Sequence, residues 1–135
     1  MDVEANGDTL VVRLEPGEEV IEKLKDLRRE HELDGAFFTG IGAVDEAVLG
    51  HYDVEEEEYT EERFEGQFEV TNFTGNIGPD KVHAHITLGM RDFEALAGHC
   101  SEATVSGTFE LLVLKTGVEL SHQGDEETGL DVFDL

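Results

Sequence analysis

Two histidines separated by one residue are the part of this sequence best suited to chemistry. His83 and His85 flank Ala84 in the segment from His83 to Met90, whose apolar alternation predicts a β-strand. Since successive strand residues point to opposite faces, both imidazoles would lie on one face while Ala84 packs into the core. Neutral imidazoles placed side by side are typical ligands of Zn²⁺, at about 2.0–2.1 Å from the ion. The pair therefore predicts half of a site for a divalent metal, with Zn²⁺ as the expected ion.

His99 is the candidate for a third ligand. It follows Gly98 in a stretch that is expected to form a turn. Three histidines would leave one position of a tetrahedral ion open to water, a neighbouring subunit or a carboxylate. Cys100 and Glu110 are candidates for groups surrounding the ligands, although a small buried thiol and an acid on a polar strand face fit them equally well. Exposed histidines on a polar sheet face remain the alternative to a metal site.

Other patterns in the chain point to no catalytic residue. Gly40 and Gly42 lack the third glycine and the Lys-Ser/Thr pair of a phosphate-binding loop, so a bulge or tight backbone packing explains them better. The acidic run from Asp53 to Glu62 is typical of a solvated hairpin tip or a charge-protected edge strand rather than a cation site. No Ser-His-Asp order or GxSxG motif is present.

The elements that must position these histidines form an α+β pattern. Val20, Leu24 and Leu27 recur at helical spacing between Glu18 and about His31, which predicts one long helix. The stretch from Arg91 to Gly98 is predicted as a short second helix or a loop. Alternating apolar residues predict strands elsewhere, at Thr9–Leu14, Gly35–Asp53 (bent or bulged by its glycines), Tyr59–Phe64, Gly66–Thr74, His83–Met90 and Ala103–Leu114. The expected fold is therefore a mainly antiparallel sheet packed with one long and one short helix, in a single domain over residues 1–135.

The net charge is the most informative feature of the composition. The chain carries 33 acidic and 9 basic residues, a formal net charge of -24. Protein binding to duplex phosphate draws its free energy from Lys and Arg displacing condensed cations, so this surface would repel DNA over most of its area. Unaided DNA binding is therefore disfavoured.

The acidic composition also predicts a protein adapted to a salt-loaded, halophilic cytosol. At molar salt the Debye length falls to about 3 Å, which suppresses repulsion between the acids. We expect the fold to be lost as KCl is diluted, and thermal unfolding followed by circular dichroism across a KCl series measures this. Full stability in dilute buffer would contradict the prediction.

The length and the cysteine content limit the size of the core and the expected cellular location of the protein. A chain of 135 residues has room for one modest core. Cys100 is the only cysteine, so no internal disulfide forms, and the start from Met1 to Glu4 has neither the basic nor the apolar stretch of a targeting signal. No run of 18 apolar residues occurs. The expected location is a reducing cytoplasm, without membrane contact.

Several short segments together resemble the plants-and-prokaryotes conserved (PPC) domain. Each is weak alone, but their order and spacing are fairly specific, and the resemblance extends from the first predicted strand to the Thr128-Gly129-Leu130 tail. The segments are Phe38–Val44, Leu49–Asp53, Gly66–Val70, Gly75–Ile77, His83–His85, Gly98–His99 and Thr108–Glu110.

The resemblance implies an α/β-type domain with a central, mainly antiparallel sheet that assembles as a homotrimer. In plants this domain is attached to AT-hook segments that hold the DNA minor groove, while the domain itself mediates oligomerisation and contacts with nuclear proteins. Free-standing microbial members carry what looks like a metal site, which corresponds here to His83, His85 and His99. No Arg-Gly-Arg-Pro hook is present, and Gln67 stands where the plant partner-contact stretch has arginine. The DNA binding and the partner contact of the plant proteins are therefore poorly supported for this chain.

Two functions from different classes follow. The first is a trimeric, metal-containing PPC-domain protein that works as a binding or regulatory module, with a protein partner in transcription regulation. The alternative is a metal-dependent enzyme in which a three-histidine ion with an open water position activates water or polarises a carbonyl, with Glu110 or Glu102 as proton acceptor.

Overall fold

Long antiparallel strands account for most of the chain in the computed structural model, which describes residues 1–135. Six of the eight strands form one sheet in the order β1-β2-β6-β3-β4-β5, and β6 also pairs with β5, so that β6, β3, β4 and β5 close into a ring. The elements are β1 (Asp2–Asn6), β2 (Thr9–Leu14), α1 (Val20–Glu30), β3 (Ala36–Asp53), β4 (Glu58–Ile77), β5 (Val82–Gly89), β6 (Ala95–Lys115), β7 (His122–Gly124) and β8 (Asp131–Phe133).

The single helix lies where the apolar periodicity predicts it. Glu19 caps its N-terminus by accepting hydrogen bonds from the backbone N–H groups of Ile21 and Glu22, which satisfies donors that the first turn leaves unpaired. Leu24 and Leu27 are almost fully buried beneath it. No helix of the protein has both the length and the apolar character needed to cross a membrane.

The core lies between the helix and the inner face of the sheet. Phe73 stacks on Phe38 at 5.1 Å and meets Phe109 edge-on at 5.2 Å. No polar or charged residue is buried. The hydrophobic effect therefore drives the packing, since each Å² of buried apolar surface stabilises the fold by about 25 cal/mol. No buried charge offsets this gain.

The expected α+β class with a mainly antiparallel sheet is confirmed, but the short second helix is wrong. Arg91 begins a tight turn that closes a hairpin between β5 and β6, with the Met90 N–H donating to the Glu94 carbonyl at 2.8 Å. Phe93 has a φ of 69°, which a right-handed helix does not accommodate. β6 then begins at Ala95, eight residues before the predicted strand.

β4 is longer than its sequence pattern predicts, whereas β3 matches its predicted range and is bulged at its glycines as predicted. β4 runs without a break from Glu58 to Ile77, across the two predicted strands at Tyr59–Phe64 and Gly66–Thr74. Register shifts at Gly40 and Gly42 bend β3 without ending it, because a bulge absorbs an extra residue and the pairing then resumes. The acidic run forms the hairpin tip between β3 and β4, as predicted.

Candidate metal centre

Three imidazoles converge where β5 and β6 pair. His85 lies directly opposite His99 in the register, and His83 is two residues away on the same face of β5. One ring nitrogen from each of the three lies within 4.8 Å of the others. The ring centroids are 5.1 to 5.7 Å apart. We call these three residues the histidine cluster.

The local sequence explains this convergence. Ala84 and Ile86 are fully or almost fully buried. The alternation of β5 therefore turns His83 and His85 away from the core, as predicted. The tight turn after β5 brings β6 back antiparallel and places His99 beside His85. His99 lies inside a strand rather than in the predicted turn. Its register with β5 therefore fixes its position.

Glycines allow the strands beneath the cluster to come unusually close together. A Cβ atom on Gly98 would lie 2.6 Å from the carbonyl oxygen of Gly50, and one on Gly75 would lie 1.9 Å from the carbonyl oxygen of His83. Any side chain at Gly98 would push β6, which carries His99, away from β3. Any side chain at Gly75 would push β4 away from β5, which carries His83. Close packing of the strands thus requires glycine at positions 98 and 75.

We expect Gly98→Ala to lower the free energy of unfolding by about 1–3 kcal/mol, because the added methyl overpacks a strand contact that cannot yield without moving backbone. Gly124→Ala is the matched control, since a Cβ there meets nothing within 4 Å. Urea unfolding of both variants measures the difference. Equal stability of the two would contradict the close approach.

Burial keeps two members of the cluster, His83 and His99, in the uncharged form that binds metals. Burial, together with the neighbouring His99 and His85, lowers the pKa of His83 to about 4. The pKa of His99 is lowered by burial and by His85, while the Glu61 carboxylate opposes this shift. These lowered pKa values leave a ring nitrogen of His83 and of His99 unprotonated at neutral pH, with its lone pair free to coordinate.

The donor set fits a divalent ion such as Zn²⁺. Three imidazole nitrogens within 4.8 Å of one another suit a tetrahedral ion with one open position. Asn76 adds a second observation: it pairs with His83 across β4 and β5, and its Oδ1 is buried without a hydrogen-bond partner. Histidine ligands generally donate their second ring N–H to such an acceptor. The residues therefore match a metal and its supporting shell.

Neither group expected to surround the ligands reaches the cluster. Cys100 follows His99 on β6 and so points to the opposite face, where it is buried in the core, and burial raises the pKa of its thiol to about 12. Glu110 lies on the order of 30 Å further along β6, exposed opposite Ile41 of β3. Glu102, a candidate proton acceptor, is ion-paired with Arg63 at 2.8 Å. Alternation sends Cys100 inward, and strand length carries Glu110 away.

Residues of β4 and of the loop before β5 come close to the cluster instead. The Tyr59 ring meets His99 at 6.2 Å, and its hydroxyl donates to Glu61 at 2.9 Å. Lys81, just before β5, and Tyr52 of β3 line the same cavity as the three histidines. The sequence shows Tyr59 and Glu61 on one face of a strand, but only the register of β4 with β3 places that face beside His99.

A cavity of about 760 Å³ opens directly over the histidine cluster. The tip of the β3–β4 hairpin and the segment before β8 form its walls, and the Tyr52 hydroxyl joins them by donating to the Thr128 carbonyl at 3.0 Å. This volume lies within the range of about 300–1,000 Å³ that is usual for small-molecule sites.

The fold and cluster define a small α+β domain whose antiparallel sheet presents three histidines at the floor of a cavity. The chain belongs to the Plants and Prokaryotes Conserved (PCC) domain family, the family abbreviated PPC above, because the family model matches residues 1–117. The predicted family resemblance is confirmed.

Solved structures of similar proteins share the fold over almost the whole chain. A candidate DNA-binding protein from Bacteroides thetaiotaomicron is 28% identical, with a TM-score of 0.91 over 98% of this chain and 96% of that one. A candidate DNA-binding protein from Ralstonia eutropha is 28% identical, with a TM-score of 0.90 over 98% and 95%. A protein from Archaeoglobus fulgidus described as metal-containing is 28% identical, with a TM-score of 0.84 over 98% and 96%.

Two curated relatives are bifunctional GlmU proteins from Synechococcus strains. They are 28% and 27% identical over 121 residues, which is 87% of this chain. The chain spans only 18% and 19% of their length.

Proposed function

We propose that this chain is a metal-binding PCC-domain protein that works as a binding or regulatory module, with Zn²⁺ held by His83, His85 and His99. The observation that carries the proposal is the convergence of three imidazole nitrogens within 4.8 Å. The A. fulgidus structure described as metal-containing, at 28% identity, supports it. Elemental analysis of protein purified without added metal tests it: about one Zn²⁺ per chain is expected. Metal-free protein that takes up no Zn²⁺ would contradict it.

The affinity for Zn²⁺ should depend on pH in a way set by the lowered pKa values. Protons compete with metal for each imidazole, but His83 titrates at about pH 4. We therefore expect the steepest loss of affinity below about pH 5, rather than near the usual histidine pKa of about 6.5. Titration with a competing chelator at several pH values measures this. A steepest loss between pH 6 and 7 would contradict it.

The same shift makes the metal-free fold less stable in acid. Between pH 6.5 and about 4 the unfolded chain binds the proton of His83 more readily than the folded chain does. Stability therefore rises with pH across this window and is lost as the pH falls through it.

A metal-dependent enzyme is the second candidate, and the cavity favours it. An ion held by three histidines keeps one position for water or substrate, and about 760 Å³ of space lies over that position. Glu61, rather than Glu102 or Glu110, is the carboxylate that would serve as proton acceptor, because it is close enough to His99 to influence its pKa. Zn²⁺-dependent hydrolysis of an ester or amide panel, lost in Glu61→Gln with metal retained, would favour this candidate over the module.

Contact with DNA, if the protein acts in transcription, is proposed to run through a protein partner. Two relatives are described as candidate DNA-binding proteins, but this chain has nine basic residues against 33 acidic ones. Six of the nine are ion-paired with carboxylates, which leaves Arg28, Arg91 and Lys115. No basic stripe forms, so counterion release has little to act on.

We propose in addition that the chain assembles as a homotrimer in a cytoplasmic compartment. An exposed apolar face on β2, β3 and β6 supports assembly, because such a contiguous surface usually marks a protein contact. Its members are Val11, Phe37, Ile41, Leu112 and Leu114, each 37% to 58% exposed; Val11 pairs with Leu112 and Phe37 with Leu114. We call this surface the apolar face.

Residues 1–135 are proposed to act as a single domain. Residues 118–135 lie beyond the matched family region but pack against it. Leu120 is only 5% exposed, Lys81 pairs with Asp131 at 3.2 Å, and Phe37 meets Phe133 edge-on at 6.2 Å. These contacts would hold the C-terminal hairpin in place.

A further inference from the structure

We infer that the cavity over the histidine cluster binds a small monocarboxylate with an apolar body, whose carboxylate coordinates the ion and pairs with Lys81. This inference rests on the proposed metal site and names the class of ligand that the site takes.

The shape of the cavity calls for a compact organic ligand. The histidine cluster forms the floor, and the side walls are largely apolar or aromatic, contributed by Tyr52, Val54, Tyr59 and Leu130. The Tyr52 hydroxyl is engaged with the Thr128 carbonyl and the Tyr59 hydroxyl with Glu61. A ligand would therefore contact the aromatic rings of these tyrosines and would form no new hydrogen bond with their hydroxyls. Rings and aliphatic side chains favour a ligand with an apolar body.

The charge of the cavity calls for an anion at its floor. Among the lining side chains, Lys81 is the only lysine or arginine and Asp131 is the only acid, and the two neutralise each other at 3.2 Å. A divalent ion on the three imidazoles would add two positive charges, which the one carboxylate beside the cluster, Glu61, would offset only in part. The floor of the cavity would thus attract an anion although the chain carries a net charge of -24.

Lys81 is placed to take part. Its pair with Asp131 is partly open to water, with the lysine side chain 31% exposed and the aspartate 62%, and such exposed pairs are held weakly. The ammonium can therefore exchange the Asp131 carboxylate for that of a ligand. A carboxylate oxygen also suits the fourth position of a tetrahedral ion.

The donors present favour a carboxylate over a phosphate. Phosphate sites use several N–H donors, from a helix N-terminus, a glycine-rich loop or clustered arginines. The only helix of this protein, α1, contributes no residue to the cavity, nor does any arginine. One cationic side chain and one metal position match the single charge of a monocarboxylate.

Visible absorption of Co²⁺-loaded protein tests the inference, because the bands of tetrahedral Co²⁺ respond to a change in its fourth ligand. Hexanoate is the probe, hexan-1-ol is its uncharged counterpart, and acetate carries the charge without the apolar body. We expect hexanoate to shift the bands saturably, hexanol to leave them unchanged, and acetate to bind more weakly than hexanoate. Equal affinity for acetate and hexanoate, or a response to hexanol, would overturn the inference.

Lys81→Gln tests the role of the lysine. We expect it to weaken hexanoate binding by about tenfold or more, as loss of a charge-assisted hydrogen bond does, while Co²⁺ content is unchanged. Lys115→Gln, far from the cavity, should bind hexanoate as the parent does. Unaltered hexanoate affinity in Lys81→Gln would overturn the inference.

The two proposals fail in different ways. Protein that binds no Co²⁺ would overturn the proposed function and the inference together. Protein that binds Co²⁺ with unchanged bands at saturating hexanoate would overturn the inference alone.

Discussion

The His85→Ala variant is expected to purify with less than about a tenth of the Zn²⁺ carried by the parent protein. Loss of a group that merely supports a ligand already weakens metal affinity by about 10–100-fold, so loss of a ligand itself should cost at least that much. Two imidazoles would remain on an ion that prefers four donors. His85 is the best position for this change because its side chain is exposed, so truncation leaves no cavity in the core.

His51→Ala is the matched control. His51 lines the same cavity and is also exposed, but it does not belong to the histidine cluster. Elemental analysis and isothermal titration with Zn²⁺ should separate the two variants, with circular dichroism verifying that both are folded. Equal metal content in His85→Ala and the parent would remove the proposed site, and loss in both variants would point to a general effect on the cavity.

The faces of the strands could be predicted from the sequence, whereas the extent of β4 and the start of β6 could not. Alternation in β5 placed His83 and His85 outward and Ala84 inward, and the burial of Ala84 confirms this. A side chain's face depends only on its immediate neighbours. Strand ends depend on whether a distant partner continues the pairing. The sequence therefore predicted two strands, at Tyr59–Phe64 and Gly66–Thr74, where pairing with β3 carries the single strand β4 from Glu58 to Ile77.

The surroundings of the histidine cluster show the same division. Cys100 and Glu110 were expected near His99 because they are close in sequence or share a polar pattern, yet one is buried on the opposite face and the other lies far along β6. Tyr59 and Glu61 come beside the cluster through the register Glu61–Gly50–His99 across three strands. A register across three strands is set by the whole sheet and by the tight turn after Met90, which no local pattern specifies.

The expected homotrimer makes a second large effect testable, through a charge placed on the apolar face. Leu112 lies at its centre, beside Val11 of β2 and Thr39 of β3, and is 37% exposed in the single chain. We expect Leu112→Glu to convert trimers into monomers at micromolar concentration, because burying an unpaired carboxylate against apolar surface costs several kcal/mol in each subunit contact.

Val118→Glu separates this effect from the added charge alone. Val118 is 56% exposed but lies in the loop after β6, outside the apolar face. Light scattering coupled to size-exclusion chromatography should give about three times the 14.9 kDa chain mass for the parent and Val118→Glu, since only a closed assembly fixes one copy number. Leu112→Glu should give the chain mass with an unchanged circular dichroism spectrum. A trimeric Leu112→Glu would place the subunit contact on another surface, and a monomeric parent would contradict the assembly itself.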